Sequence, residues 1–483
     1  MRQDRLNHRF RPRPAWLLVA GLALVSTPGA GDDATLPNLL RFPNPTGFAA
    51  TFSPTGTVDL TGPFFQSLGT NGRSCGTCHQ ASDGWTMTPA HIQQRFDATD
   101  GTDPVFRPVD GANAPELDVS TVEARRTAYS MLLAKGLIRV GIGIPAGAEF
   151  ELVAADDPYG HASAQDLSLF RRPLPATNLK VLSTVMWDGR ETFKDPASPD
   201  CVIGTSNCFA ALHFNLGDQA NSATLGHAQG ASPLTDEQRE AIVDFESSLS
   251  TAQDYDADAG SLRARGALGG PDYLSLQNFY FGINDPIAGD YRTRGPFDAI
   301  VFRIYAAWSH LRDDGTGSAA HRHRMAAREQ IARGQMLFNS LPIHITGVKG
   351  LNDDLGVPVI VGTCTTCHDA PNAGNHSIPV PLDIGIADAS RRTPDLPLYT
   401  LRNLQTGETI QTTDPGRALV TGKWTDIGRF KGPTLRGLAA RAPYFHNGSA
   451  TDLPAVIDFY NTRFVLNLSD QEKADLIAFL QAL

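Results

Sequence analysis

The sequence predicts a mainly α-helical protein with long loops, an all-α chain built from two tandem domains of one kind. Three observations lead there. A cysteine motif occurs twice, as Cys75-Gly-Thr-Cys78-His79 and Cys364-Thr-Thr-Cys367-His368. A helical pattern follows each motif: Leu234-Thr-Asp-Glu-Gln-Arg-Glu-Ala-Ile-Val-Asp-Phe245, then Leu249, and Leu468-Ser-Asp-Gln-Glu-Lys-Ala-Asp-Leu-Ile-Ala-Phe479, then Leu483. Finally, 45 glycines and 33 prolines among 483 residues favour short helices joined by structured loops.

Each repeated helix opens with a capping box, Thr235 with Gln238 and Ser469 with Glu472. Apolar residues then recur at helical spacing, Ile242, Phe245 and Leu249 in one copy and Leu476, Phe479, Leu480 and Leu483 in the other. Residues Ala326 to Phe338 read as the helix leading into the second cysteine motif. Residues 251–320 belong to neither copy, and aromatic pieces such as Phe279-Tyr-Phe281 mark them as a folded connector. The expected division is therefore a first domain over 32–250, the connector over 251–320 and a second domain over 321–483.

Residues 1–31 read as a signal peptide. Arg2, Arg5, Arg9, Arg11 and Arg13 precede an apolar run from Ala15 to Val25, and small residues follow. The run is short for a membrane span, so the alternative of an uncleaved anchor is the weaker one. After its removal no span is expected, and the chain is placed in the periplasm. A composition of 41% apolar and 19% charged residues is that of a globular protein. The net charge of −10 becomes more negative without the arginine-rich leader. An acidic surface argues against nucleic acid and anionic membrane, and suits a basic soluble partner.

The repeated motif is the C-x-x-C-H signature of covalent haem attachment. Two thiols add to the two vinyl groups of one haem, and the adjacent histidine is held against the iron. A thioredoxin-type pair needs no histidine and sits near a βαβ pattern, which is not evident here. A structural zinc site needs its two halves close in sequence. The reading is two covalent haems c, bound by Cys75, Cys78 and His79 and by Cys364, Cys367 and His368. The two remaining cysteines, Cys201 and Cys208, suit a disulfide in an exported chain.

Further pieces carry a more specific resemblance: Phe170-Arg-Arg-Pro through Met186-Trp-Asp-Gly-Arg190, and Phe430-Lys-Gly-Pro-Thr-Leu-Arg436 followed by Ala442-Pro-Tyr-Phe-His-Asn-Gly448. With the two haem motifs in this order, the chain resembles the bacterial di-haem cytochrome c peroxidase family, including its MauG-type branch. The resemblance implies two tandem cytochrome c domains. It implies hydrogen peroxide reduction at the first haem, with electrons passed from the second. A small donor protein, a cytochrome or a cupredoxin, would supply them. Trp187 corresponds to the tryptophan that relays electrons between the haems. The family also holds calcium between its domains, at a site not recognisable in this sequence.

The sequence departs from the family at both distal sites. Family peroxidases use a methionine as second ligand of the second haem, yet no methionine follows Met336. Its counterpart is Tyr460, the residue type of the MauG branch, with His376 and His446 as competing ligands. In the first pocket Gln219 matches the family glutamine, but the family glutamate falls on Gln229, which does not titrate. His227, two residues earlier, is the expected proton shuttle. His91 is the expected displaceable iron ligand. The internal repeat sets Ala223 opposite Tyr460, which leaves that approach to the first haem open. Two other functions remain: a MauG-like enzyme oxidising a partner protein, and a di-haem electron carrier without peroxide chemistry.

Overall fold

Thr235 and Ser469 each start a helix. In Asp236–Ser248 the Thr235 hydroxyl accepts from the Gln238 amide at 3.2 Å, and the Gln238 side chain accepts from the Thr235 amide at 3.0 Å. In Asp470–Gln481 the same exchange joins Ser469 and Glu472 at 3.3 and 2.9 Å. Two otherwise orphaned amides are thereby satisfied at each start. These contacts come from a computed structural model that describes residues 34–311 and 317–483. The leader expected over residues 1–31 lies outside the described residues.

The two helices bury matching aromatic faces. Phe245 meets Phe64, Phe65 and Trp85 at ring-centroid distances of 4.8, 5.2 and 5.6 Å. Phe479 meets Phe302 and Phe338 at 5.3 and 5.6 Å. Phe64 then lies 6.2 Å from the ring of His79, and Phe338 lies 5.9 Å from that of His368. Each terminal helix thus reaches a motif histidine through one aromatic ring. Burying each large apolar side chain contributes roughly 1.5–3 kcal/mol. The helix Asp470–Gln481 packs on Ala319–Ser340, and a Cβ on Gly334 would sit 1.9 Å from the Asp475 carbonyl oxygen. Glycine is what lets these helices touch.

The expectation of an all-α chain is overturned. The described residues are mixed α/β, with 11 helices, 32% of residues helical and 17% in strands. The strands form small antiparallel sheets, the largest of four strands. Leu398–Asn403 is flanked by Phe150–Asp156 and Thr409–Thr412, and Ile343–Thr346 pairs with Val359–Gly362. The reason lies in short alternations within stretches read as loops. In Leu398–Asn403, Tyr399 and Leu401 are buried while Arg402 faces water, a period of two.

The segment after the first terminal helix is folded. Ser250–Asp256 pairs with Gly47–Phe52 in the four-stranded sheet. Downstream, Phe302, Tyr305 and Trp308 are buried in the cluster that contains Phe479. Among the described residues no helix is long and apolar enough to cross a membrane.

Candidate active site: two cavities with a shared wall

Both cysteine motifs fold as single turns. Cys75–Cys78 is one helical turn whose cap joins Ser74 and Thr77, and Cys364–Thr366 is a 3-10 turn capped by Thr363 and Thr366. Residues three apart share a face, so both cysteines of each motif lie on the rim of a cavity. Burial, the largest influence, pushes the thiols of Cys75, Cys364 and Cys367 up to about 12, so they are neutral.

Each motif histidine is oriented by a carbonyl. His79 Nδ1 lies 2.9 Å from the Trp85 oxygen, and His368 Nδ1 lies 2.6 Å from the Gly374 oxygen. A carbonyl only accepts, so Nδ1 carries the proton and Nε2 keeps its lone pair for a metal. Burial lowers the pKa of both rings, favouring the neutral, ligating form.

The first cavity encloses about 1620 Å³, part of it open to solvent. The helix Asn207–Gly226 presents Leu216, Gln219 and Ala223 to it, and His227 follows at the helix end. This is one helical stripe. His227 Nδ1 is hydrogen-bonded to Asp110 Oδ2, and the other Asp110 oxygen pairs with Arg73. Burial alone would raise Asp110; the bonds from His227 and Arg73 outweigh it and hold the carboxyl below its ordinary value. An anionic Asp110 fixes the His227 tautomer and leaves Nε2 free. Glu246, from the first terminal helix, also lines this cavity. Its Oε2 has no partner among the described residues, and burial pushes its pKa up to about 8.

The structure brings His79, Trp187, Gln219 and His227 to one cavity, but neither His91 nor Gln229 lines it. His91 is hydrogen-bonded to Asp83 with its side chain 42% exposed. Gln229 sits at a φ of 53° beyond the helix end, its side-chain oxygen accepting from Asn71 at 3.3 Å.

The second cavity spans about 1710 Å³, part of it open to solvent. The helix Leu453–Arg463, capped by Asp452, presents Leu453, Val456, Ile457 and Tyr460 to it. Burial first, then the nearby Cys367 and Cys364, push the Tyr460 hydroxyl up. His446 also lines this cavity, stacked on Phe430 at 4.0 Å, and neither ring nitrogen has a hydrogen-bond partner among the described residues. Burial drives its pKa down to about 4. His376 is not on the lining; its Nδ1 bonds Asp369 at 3.0 Å.

Trp187 lines both cavities and donates its indole N–H to the Arg172 carbonyl at 2.7 Å. The turn that carries it is anchored by Asp188, paired with Arg171, which also grips Asp414 at 2.8 Å. Burial would raise Asp188, but Arg171 and Arg190 outweigh it and hold the carboxyl at about 2. Asp110 and Glu246 were not singled out from the sequence. Asp110 stands alone in a loop, and Glu246 looks like one more polar residue of an amphipathic helix.

No family model matches the chain. Cytochrome-c peroxidase IdrP1 of Pseudomonas sp. (strain SCT) is 34% identical over 140 residues, 25% of this chain and 36% of its own length. Cytochrome-c peroxidase IdrP2 of Denitromonas iodatirespirans is 33% identical over 132 residues, with the same coverage of 25% and 36%. The chain thus matches about a third of the length of these curated relatives. Over that stretch the matches bear out the resemblance to cytochrome c peroxidases carried by the motifs. Among solved structures, a MauG-like protein associated with microbial copper homeostasis aligns over 87% of this chain and 85% of its own. It does so at 15% identity and a TM-score of 0.36, too low to establish a shared fold.

Proposed function

We propose that the protein is a di-haem, c-type peroxidase-like oxidoreductase of the periplasm, reducing hydrogen peroxide with electrons from a small donor protein. The observation that carries this reading is the pair of cavities. Each offers two thiols on one face, a histidine with Nδ1 already bonded, and an apolar lining. Those residues fit a c-type haem. Cys75, Cys78 and His79 would hold one, and Cys364, Cys367 and His368 the other; when bound, haem supplies the redox-active iron. The tandem-domain division, 32–250 and 321–483, accords with the matching aromatic contacts of the two terminal helices.

The chain's own residues divide the work. Helix Asn207–Gly226 offers the first cavity only Ala223 where the second has Tyr460, so space remains for peroxide. Gln219 orients the peroxide by hydrogen bonding. His227, its tautomer fixed by Asp110, takes a proton from one peroxide oxygen at Nε2 and returns one to the other. Trp187, on the lining of both cavities, offers the electron path. Tyr460, on the lining of the second cavity, would offer its phenol oxygen to the iron of a haem held there. It also favours, as a second reading, a MauG-like enzyme acting on a partner protein.

His227→Ala should slow peroxide consumption by about 10²-fold or more, the usual scale of general acid–base catalysis, at unchanged haem content. Full rate in this variant overturns the role of His227. A wild-type protein inert to peroxide even after one-electron reduction leaves the electron-carrier reading in its place.

A further inference from the structure

Three cations line both cavities: Arg172, Lys431 and Arg441. They stand with Trp187 in the wall that the cavities share. None is ion-paired among the described residues. Lys431 Nζ, on a residue only 6% exposed, donates to the Thr184 carbonyl at 2.8 Å. Arg172, 4% exposed, donates to the carbonyls of Lys135, Met87 and Arg441 at 2.8, 2.8 and 3.0 Å. Arg441 donates to the Thr434 carbonyl, and its buried Nε has no partner among the described residues. The contrast with neighbouring Arg171, held by both Asp188 and Asp414, is sharp.

Carbonyl dipoles satisfy hydrogen bonds but do not balance charge. A buried, uncompensated cation costs several kcal/mol. The wall records that cost: burial first, and repulsion from Arg441 second, bring Lys431 down to about 7, and burial brings Arg172 and Arg441 to about 10. Such a site is complete only when an anion enters from the cavities.

The cavities select which anion. Their linings are otherwise mostly apolar, so the occupant is an apolar body carrying carboxylates at one edge. A porphyrin carries its two propionates on the edge away from the vinyl groups that thiols capture. Cys75 and Cys78 line the first cavity alone and Cys364 and Cys367 the second alone, whereas the three cations line both. The cations thus belong to the boundary between the cavities, and the thiols do not.

We propose that Arg172, Lys431 and Arg441 form one shared carboxylate-binding site, which receives propionates from the haems of both cavities. The inference rests on the two-haem reading above. It makes the wall a common electrostatic element, so a change of charge there is felt at both irons. The same positive charge makes the wall unsuited to a divalent cation.

The test is a spectroelectrochemical titration of the haem-loaded protein with Lys431→Gln and Lys431→Arg, after haem has been counted in each by the pyridine haemochrome. Removing positive charge favours the ferric state. Lys431→Gln should therefore retain two haems and lower both midpoint potentials together, and Lys431→Arg should restore both. Arg441→Gln repeats the measurement should Lys431→Gln not fold. Two haems with both potentials unmoved, or with only one lowered, overturn the shared site. A wild-type protein without covalent haem overturns the underlying reading instead.

Discussion

Glu246 tests how the first cavity holds charge. Along the internal repeat its counterpart is Leu480, which lines the second cavity, so one copy places an acid where the other places a methyl-rich side chain. Burial lifts Glu246 from 4.5 to about 8. Between those values the folded protein keeps a proton that the unfolded chain releases. Stability then falls as pH rises, by at most about 1.36 kcal/mol per unit, and the loss is complete only above the folded pKa. Glu246→Gln retains a neutral polar group of similar shape and has nothing to titrate. From about pH 5 to about pH 7.5, wild type should lose roughly 3 kcal/mol more than the variant. Urea unfolding of both haem-loaded proteins at the two pH values, read by far-ultraviolet circular dichroism, gives the difference directly. Parallel pH profiles, agreeing within about 0.5 kcal/mol, would show that Glu246 is charged or water-paired in the folded state, and would refute the reasoning.

Two further outcomes are expected. Tyr460→Phe should change the ferric spectrum of the second haem and raise its potential, because a phenolate ligand stabilises ferric iron; an unchanged spectrum would shift the search to His446, which lines the same cavity. The Cys201 and Cys208 thiols lie within hydrogen-bonding reach of each other and are unbonded in this structure. In an oxidising compartment they should be joined in a disulfide, a short-loop closure contributing about 2–3 kcal/mol. Thiol labelling of the unfolded, non-reduced protein should find neither free, and two labels would contradict it.

Local rules made part of this molecule legible. Both terminal helices start where their capping boxes are written, at Thr235 and Ser469, because a cap is decided within four residues. The stripe Leu216, Gln219 and Ala223 follows from one helix geometry, as does the presence of Tyr460 on the second cavity. The strands were hidden for the converse reason. Ile343–Thr346 and Val359–Gly362 are four residues each, within Gly-rich and Pro-rich stretches, and their pairing is a tertiary event. The bond between Asp110 and His227 joins a loop to a helix end far along the chain. The cationic wall was hidden most deeply. Arg172 and Lys431 stood inside quoted motifs, but only the fold shows that no carboxylate meets them.

The central claim, that each cavity holds a covalent haem, is most directly tested by the intact mass of denatured protein made with haem-attachment machinery. Wild type should carry two haems. Cys75→Ala with Cys78→Ala should carry one, and so should Cys364→Ala with Cys367→Ala. A wild-type mass with one haem or none, or a paired-cysteine variant that still carries two, would contradict the account.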